Sequence, residues 1–327
     1  MKIMVYEARP DERADLEKQA ALHGVELSVT DAVPTLENAS LAAGCIGVSI
    51  LGQGCIDAAL LDAYHALGIR YLSTRTIGYD HIDLDHARSI GLRVCSASYA
   101  PNGVADFTVM MILMCLRHYK QALWRGQVND FSLTGLQGRE MKDLTIGIIG
   151  TGRIGAQVVR NLSGFGCRIL AYDLRRNPAV EPQVTYVDFD TLLAQSDVIT
   201  LHMPLLDSNR HIINRESVAK MRDGVVIVNC SRGELADIEA LIEGIETGKI
   251  GALGMDTVEG DEGIIHADHR VDILPNRNWF YLHQFRNVIM TQHMAFYTEQ
   301  AVDSMVQCGI EGIVKMVEEG TYPTMLD

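Results

Sequence analysis

Thr145-Ile146-Gly147-Ile148-Ile149-Gly150-Thr151-Gly152-Arg153-Ile154-Gly155 carries an apolar run straight into the spacing G-x-G-x-x-G. The run reads as a buried strand, and the residues from 153 to about 165 read as the helix that follows it. In such a strand–turn–helix the first glycine permits the tight turn. The second lets a pyrophosphate approach the backbone, and the third lets helix and strand pack closely. The free N–H groups at the helix start would face the phosphates. Alone the string is a weak signal. Here it is answered by Asp173, at the end of the next apolar run, Arg168-Ile169-Leu170-Ala171-Tyr172. A carboxylate about 20 residues past the glycines reads the adenosine ribose hydroxyls, so the pattern favours NAD over NADP. Arg175 and Arg176 follow within reach of a 2′-phosphate and are the counter-signal.

Upstream of this motif, short apolar runs at 3–6, 25–29, 46–51, 71–73 and 93–96 alternate with helix-like stretches at 11–22 and 56–67. Downstream the strand-like runs recur at 168–172, 198–202, 225–229, 252–255 and 288–291. Such alternation predicts an α/β fold whose largely parallel sheets are covered on both faces. Between the two series, the stretch 101–125 opens with Pro101-Asn102 and contains Val109-Met110-Met111-Ile112-Leu113-Met114. It predicts one long, mostly buried helix marking the domain boundary. A final helix is predicted over 298–318, where Val302, Met305, Val306, Ile310, Ile313, Val314 and Val317 recur at helical spacing.

The 327 residues suggest two domains, and 47% hydrophobic against 21% charged residues is an ordinary globular balance. A formal net charge of −14 disfavours nucleic acid and anionic membranes as partners, although a single local Arg can still hold a carboxylate. The seven cysteines are scattered and never form CxxC, which predicts reduced, buried thiols. The chain enters a strand-like run at once, without a signal peptide, and its one long apolar run, 107–116, is half a membrane span. A cytoplasmic protein is the expectation.

Three groups could carry chemistry. Asn229-Cys230-Ser231-Arg232-Gly233 ends a buried strand, where open α/β sheets bind ligands, and Arg232 would offer a planar fork to a carboxylate. The plainer reading is a surface Arg paired with Glu234 or Asp237. Thr291-Gln292-His293-Met294-Ala295 also ends a strand, and His293 could shuttle a proton near neutral pH or be merely structural. Asp256-Thr257-Val258-Glu259-Gly260-Asp261-Glu262 is by itself a solvated acidic loop. It has no His at ligand spacing, so no metal is expected.

With these residues in hand, the chain resembles the D-isomer-specific 2-hydroxyacid dehydrogenase family over essentially its whole length. The likeness rests on Arg75-Thr76-Ile77-Gly78-Tyr79-Asp80-His81-Ile82-Asp83, Tyr99-Ala100-Pro101-Asn102, the glycine motif, Leu201-His202-Met203-Pro204-Leu205, Asn229 to Gly233, and His293-Met294-Ala295-Phe296-Tyr297-Thr298. The Phe296-Tyr297-Thr298 segment and the long stretch after Asp261 resemble the D-lactate, D-2-hydroxyisocaproate and aryl-lactate branch. The resemblance implies two Rossmann-like domains, one flavodoxin-like and one binding NAD, with an active-site cleft between them. The substrate domain would comprise 1–100 and 298–327, the NAD-binding domain 101–297, and the protein would be a homodimer.

It further implies that Arg232 binds the carboxylate of a small 2-keto acid and that His293 protonates its keto oxygen. Backbone N–H groups at Ile77 and Gly78 would help hold the carboxylate, while Tyr99, Phe296 and Tyr297 line the pocket. Asp256, with backbone near Cys230, would orient the nicotinamide carboxamide, and Arg153-Ile154 would cover the pyrophosphate. Met203, Pro204, Asn209 and Ser231 would complete the cofactor contacts. Two positions depart from the family pattern. The Glu paired with the catalytic His is here Asp261, with Glu262 beside it, and the Pro before that His is Gln292. The alternatives are a non-catalytic NAD-sensing protein of the same fold, which needs only the glycine loop and Asp173, and a formate-type dehydrogenase, which resembles a Gln–His pairing.

Overall fold

A computed structural model describes residues 1–274 and 276–326. The chain divides into two compact units, one formed by Met1–Ala100 with Tyr297–Asp327 and the other by Pro101–Phe296.

The first unit holds five strands: β1 (Lys2–Val5), β2 (Glu26–Val29), β3 (Gly47–Ile50), β4 (Tyr71–Thr74) and β5 (Arg93–Cys95). They pair parallel in the order β2-β1-β3-β4-β5, the flavodoxin-like order. The terminal helix Glu299–Glu318 packs Val306, Ile310, Ile313 and Val314 against Ile3 and Val5 on one face of this sheet. Thr298 caps that helix by accepting from the Ala301 N–H. Arg75, at the end of β4, is wholly buried. Its guanidinium pairs with the equally buried Glu12 at 3.2 Å and donates to the carbonyls of Tyr6 and Glu7 and to the Ser49 hydroxyl. Breaking such a pair by removing one partner costs about 3–5 kcal/mol, so Arg75 is a structural element of its motif.

The second unit holds β6 (Thr145–Ile149), β7 (Arg168–Tyr172), β8 (Thr185–Tyr186), β9 (Val198–Leu201), β10 (Val225–Asn229), β11 (Ile250–Met255) and β12 (Val288–Met290). All pair parallel, in the order β12-β11-β10-β9-β6-β7-β8. Strand order reverses between β6 and β9, and the carboxyl end of that switch point is where open α/β sheets bind ligands.

Three expectations need correction. The single helix expected over 101–125 is two, Asn102–Leu116 and Tyr119–Gln127, because His118 takes a left-handed φ of +50°. The first piece buries one face throughout; the second buries no residue and is tied down instead by Lys120, whose ammonium donates to the carbonyl oxygens of His283, Phe285 and Val288. Strand β8 was not expected, since two residues at a sheet edge leave no periodicity to read. Of the seven free cysteines, Cys45, Cys95, Cys115 and Cys230 are buried, but Cys55 is exposed. Among the described residues no helix is long and apolar enough to cross a membrane.

Candidate active site

The glycine loop joins β6 to the helix Arg153–Leu162, and its three glycines are held to different standards. Gly150 has φ +92°, and a Cβ there would lie 2.6 Å from the His202 carbonyl oxygen. A Cβ on Gly155 would overlap the Gly150 carbonyl oxygen. Both glycines are demanded by the protein's own backbone. A Cβ on Gly152, by contrast, meets nothing within 4 Å. That glycine leaves open space at the N-cap of a helix whose first N–H groups need an acceptor, and such a cradle fits a pyrophosphate. Asp173 turns its carboxylate toward the same loop. Oδ2 accepts from the Thr151 N–H at 2.6 Å and hydroxyl at 3.0 Å, and Oδ1 accepts from the Arg175 N–H at 2.9 Å. His202, behind the loop, is pushed down to about 3 by burial and is neutral at physiological pH. Past Met203 and Pro204, Asn209 closes the loop by donating to the Pro204 carbonyl oxygen and accepting from the Leu206 N–H.

Arg232 lies on the turn after β10. The buried Asn229 side chain builds that turn, donating to the Arg232 carbonyl oxygen and accepting from the Ser231 N–H and hydroxyl. A Cβ on Gly233 would overlap the backbone of Val258 and Glu259, so this turn lies directly against the segment that follows β11. That segment starts with Asp256, only 1% exposed. Its carboxylate accepts from the Thr291 hydroxyl at 2.6 Å, the Met294 N–H at 2.9 Å and the Ala295 N–H at 2.8 Å. The turn it grips carries His293 at φ +54°. The segment ends with Asp261, which accepts from the Val258 N–H. Burial pushes the Asp261 carboxyl up to about 6, with the Val258 N–H opposing and Glu234, Glu262 and Asp256 adding repulsion. Glu262 is exposed. Cys230 is buried and its thiol is pushed well up by that burial.

The remaining sequence-derived candidates divide between the units. Phe296 lies in the second, its ring 6.3 Å from that of His293. His266, which sequence reasoning missed, forms the third corner: its ring is 6.1 Å from His293 and 6.3 Å from Phe296, and it bonds the His293 carbonyl oxygen. Ile77, Gly78, Tyr99 and Tyr297 lie in the first unit. There the Thr76 hydroxyl donates to the Gly78 carbonyl oxygen at 2.6 Å and shapes the 76–78 turn. The Arg9 guanidinium lies 5.1 Å over the exposed Tyr297 ring. Among the described residues, no group of three or more His, Cys, Asp or Glu could hold a metal ion.

Residues 109–295 match the family described as D-isomer specific 2-hydroxyacid dehydrogenase, NAD binding domain. The chain belongs to that family. It is an NAD-dependent oxidoreductase that interconverts a 2-oxo acid and the D-2-hydroxy acid. It is 40% identical to an aromatic 2-oxoacid reductase of Clostridium sporogenes, over 98% of both chains. It is 36% identical to a D-lactate dehydrogenase of Escherichia coli over the whole of both. The solved NAD-complexed D-isomer-specific 2-hydroxyacid dehydrogenase of Lactobacillus delbrueckii ssp. bulgaricus superposes with a TM-score of 0.85 at 30% identity, covering all of both chains. An NAD site at the glycine loop agrees with the open cradle at Gly152 and with Asp173. Both the Thr151 side chain bonded to Asp173 and the Asn229 clamp escaped sequence reasoning, because nothing in composition or periodicity records a side chain's partner.

Proposed function

We propose that this dehydrogenase reduces a 2-oxo acid with a small apolar or aromatic side chain, using Arg232, Asp261 and His293. What supports the reading most is the short segment 256–261. Asp256 grips the His293 turn with three hydrogen bonds, and Val258 and Glu259 lie against the Arg232 turn at Gly233. A cation, an imidazole and a carboxylate are thereby braced from one stretch of backbone. The Arg232 fork takes the substrate carboxylate, helped by the N–H groups of Ile77 and Gly78. His293 gives its proton to the keto oxygen and takes it back in the reverse direction. Asp261 favours the protonated imidazole once it is itself ionised. Tyr99, Phe296 and Tyr297 are the residues assigned to selecting the substrate's side chain. Bound NADH supplies the hydride for C2. Its pyrophosphate would be held at Gly150, Gly152, Arg153, Ile154 and Gly155, and its adenosine ribose at Asp173. Asp256 retains one lone pair beyond its three bonds for the carboxamide, and Met203, Pro204, Asn209, Cys230 and Ser231 would complete the contacts.

The test is a panel of pyruvate, a branched 2-oxo acid and phenylpyruvate, ranked by kcat/KM with NADH in wild type and Arg232→Lys. The variant keeps the charge and loses the bidentate fork, so kcat/KM should fall on the order of 100-fold for every substrate. Near-normal kinetics in the Lys variant would remove Arg232 from the site.

The second unit also exposes Met110 and Phe165 beside one groove and Leu123, Trp124 and Val128 along the helix Tyr119–Gln127 and just past it. Exposed apolar surface of this kind marks association, and it supports a homodimer formed through the NAD-binding unit. The free thiols support a reducing compartment, the cytoplasm.

A further inference from the structure

Asp173 alone is a poor discriminator between NADH and NADPH, since Arg175 and Arg176 follow it and either could neutralise a 2′-phosphate. We propose that Tyr186 is the positioning residue that makes Asp173 selective. It does so by fixing the carboxylate through Thr151 and by holding Arg176 on its ring.

The hydrogen bonds run one way. The Asn177 backbone N–H can only donate, and it donates to the Tyr186 hydroxyl at 2.9 Å. Tyr186 therefore spends its proton on the Thr151 hydroxyl oxygen at 2.9 Å, and Thr151 spends its own on Asp173 Oδ2 at 3.0 Å. A carboxylate can only accept, so the chain is oriented at both ends and no hydroxyl can turn away without losing a partner. The Asn177 side chain adds a second tie by donating to the Thr151 carbonyl oxygen at 2.7 Å. With the Thr151 N–H also on Oδ2, that oxygen is saturated. Oδ1 accepts only the Arg175 N–H among these contacts and keeps one lone pair for a ribose hydroxyl. Tyr186 can do this because β8 pairs with β7, with Tyr186 opposite Ala171, two residues before Asp173. The face of the same ring holds the Arg176 guanidinium at 5.5 Å. One side chain thus aims the group that repels a 2′-phosphate and detains a cation that would attract one.

The inference rests on Asp173 reading the ribose, and the experiment separates the two. Dissociation constants of NADH and NADPH are measured by nicotinamide fluorescence for wild type, Tyr186→Phe, Tyr186→Leu and Asp173→Ala, with KM and kcat for NADH alongside. Tyr186→Phe keeps the ring and loses the hydroxyl. It should weaken NADH about three- to tenfold, the worth of one oriented hydrogen bond, leave NADPH less affected, and raise KM for NADH more than it lowers kcat. Tyr186→Leu also frees Arg176 and should lower the NADH-over-NADPH preference about threefold further. A merely structural Tyr186 would weaken both nucleotides equally. If both Tyr186 variants keep the wild-type preference while Asp173→Ala loses it, the inference is overturned and the reading of Asp173 stands. If Asp173→Ala also keeps it, Asp173 is not the reader and both fail. Tyr186→Phe, which changes one atom, decides the matter should the Leu variant not fold.

Discussion

Asp261 is one methylene shorter than the Glu its family resemblance leads one to expect, and Glu262 beside it has the longer reach. The two differ in surroundings. Asp261 is half-buried, with its carboxyl pushed up to about 6 by desolvation, while Glu262 is exposed. A half-buried carboxylate within its own turn suits the tuning of an imidazole better than a solvated one. Asp261→Asn should therefore move the pH limb for 2-oxo acid reduction downward, because an imidazolium without a carboxylate partner loses its proton more readily. Glu262→Gln should leave the limb in place, and the reverse pattern would transfer the role to Glu262. Stability supplies a second readout. Between about pH 4 and pH 6 the folded chain keeps the Asp261 proton that the unfolded chain has lost, so stability from this group falls as pH rises through that window and stays low above it. Asp261→Asn should therefore raise Tm by a few degrees at pH 7.5 and by nothing below about pH 4. Calorimetry across that range checks the sign, and a pH-independent gap would deny the burial penalty.

At the scale of elements, the turn between β6 and the helix Arg153–Leu162 can be dissected by its own glycines. Gly155→Ala drives a methyl into the Gly150 carbonyl and should destabilise the second unit by about 1–3 kcal/mol, the cost of overpacking, while also weakening NADH. Gly152→Ala meets no protein atom and has a negative φ, so Tm should be unchanged. Yet its methyl enters the space left for the pyrophosphate, and NADH binding should weaken at least tenfold in a fluorescence titration. Unchanged NADH affinity in Gly152→Ala would place the phosphates elsewhere. Apart from the two-residue edge strand β8, the strands were legible to within two residues of their ends, because an all-parallel sheet buries both faces and writes most strands as apolar runs. The helix over 101–125 was not legible as two pieces. A left-handed residue such as His118 leaves no mark on hydrophobic periodicity, and only a Gly or Asn there would have suggested the break.

For the molecule as a whole, the homodimer reading predicts sedimentation at twice 36.1 kDa. Met110→Glu or Trp124→Glu should shift that equilibrium toward monomer, since a charge buried against apolar surface costs several kcal/mol. A wild type that is monomeric at micromolar concentration would refute the reading. What the sequence by itself determined was the α/β class, the succession of strands and the glycine turn. These follow from burial periodicity and backbone conformation, which each short stretch carries within itself. Tertiary structure alone decided which side chains meet. Asp256 reaches a turn 35 to 39 residues away, Thr151 meets Asp173 22 residues away, and Arg75 is neutralised by Glu12 63 residues away. Periodicity says which face of a strand is buried. It is silent on which residue of a distant strand lies opposite, because register and strand order are set only when the sheets assemble.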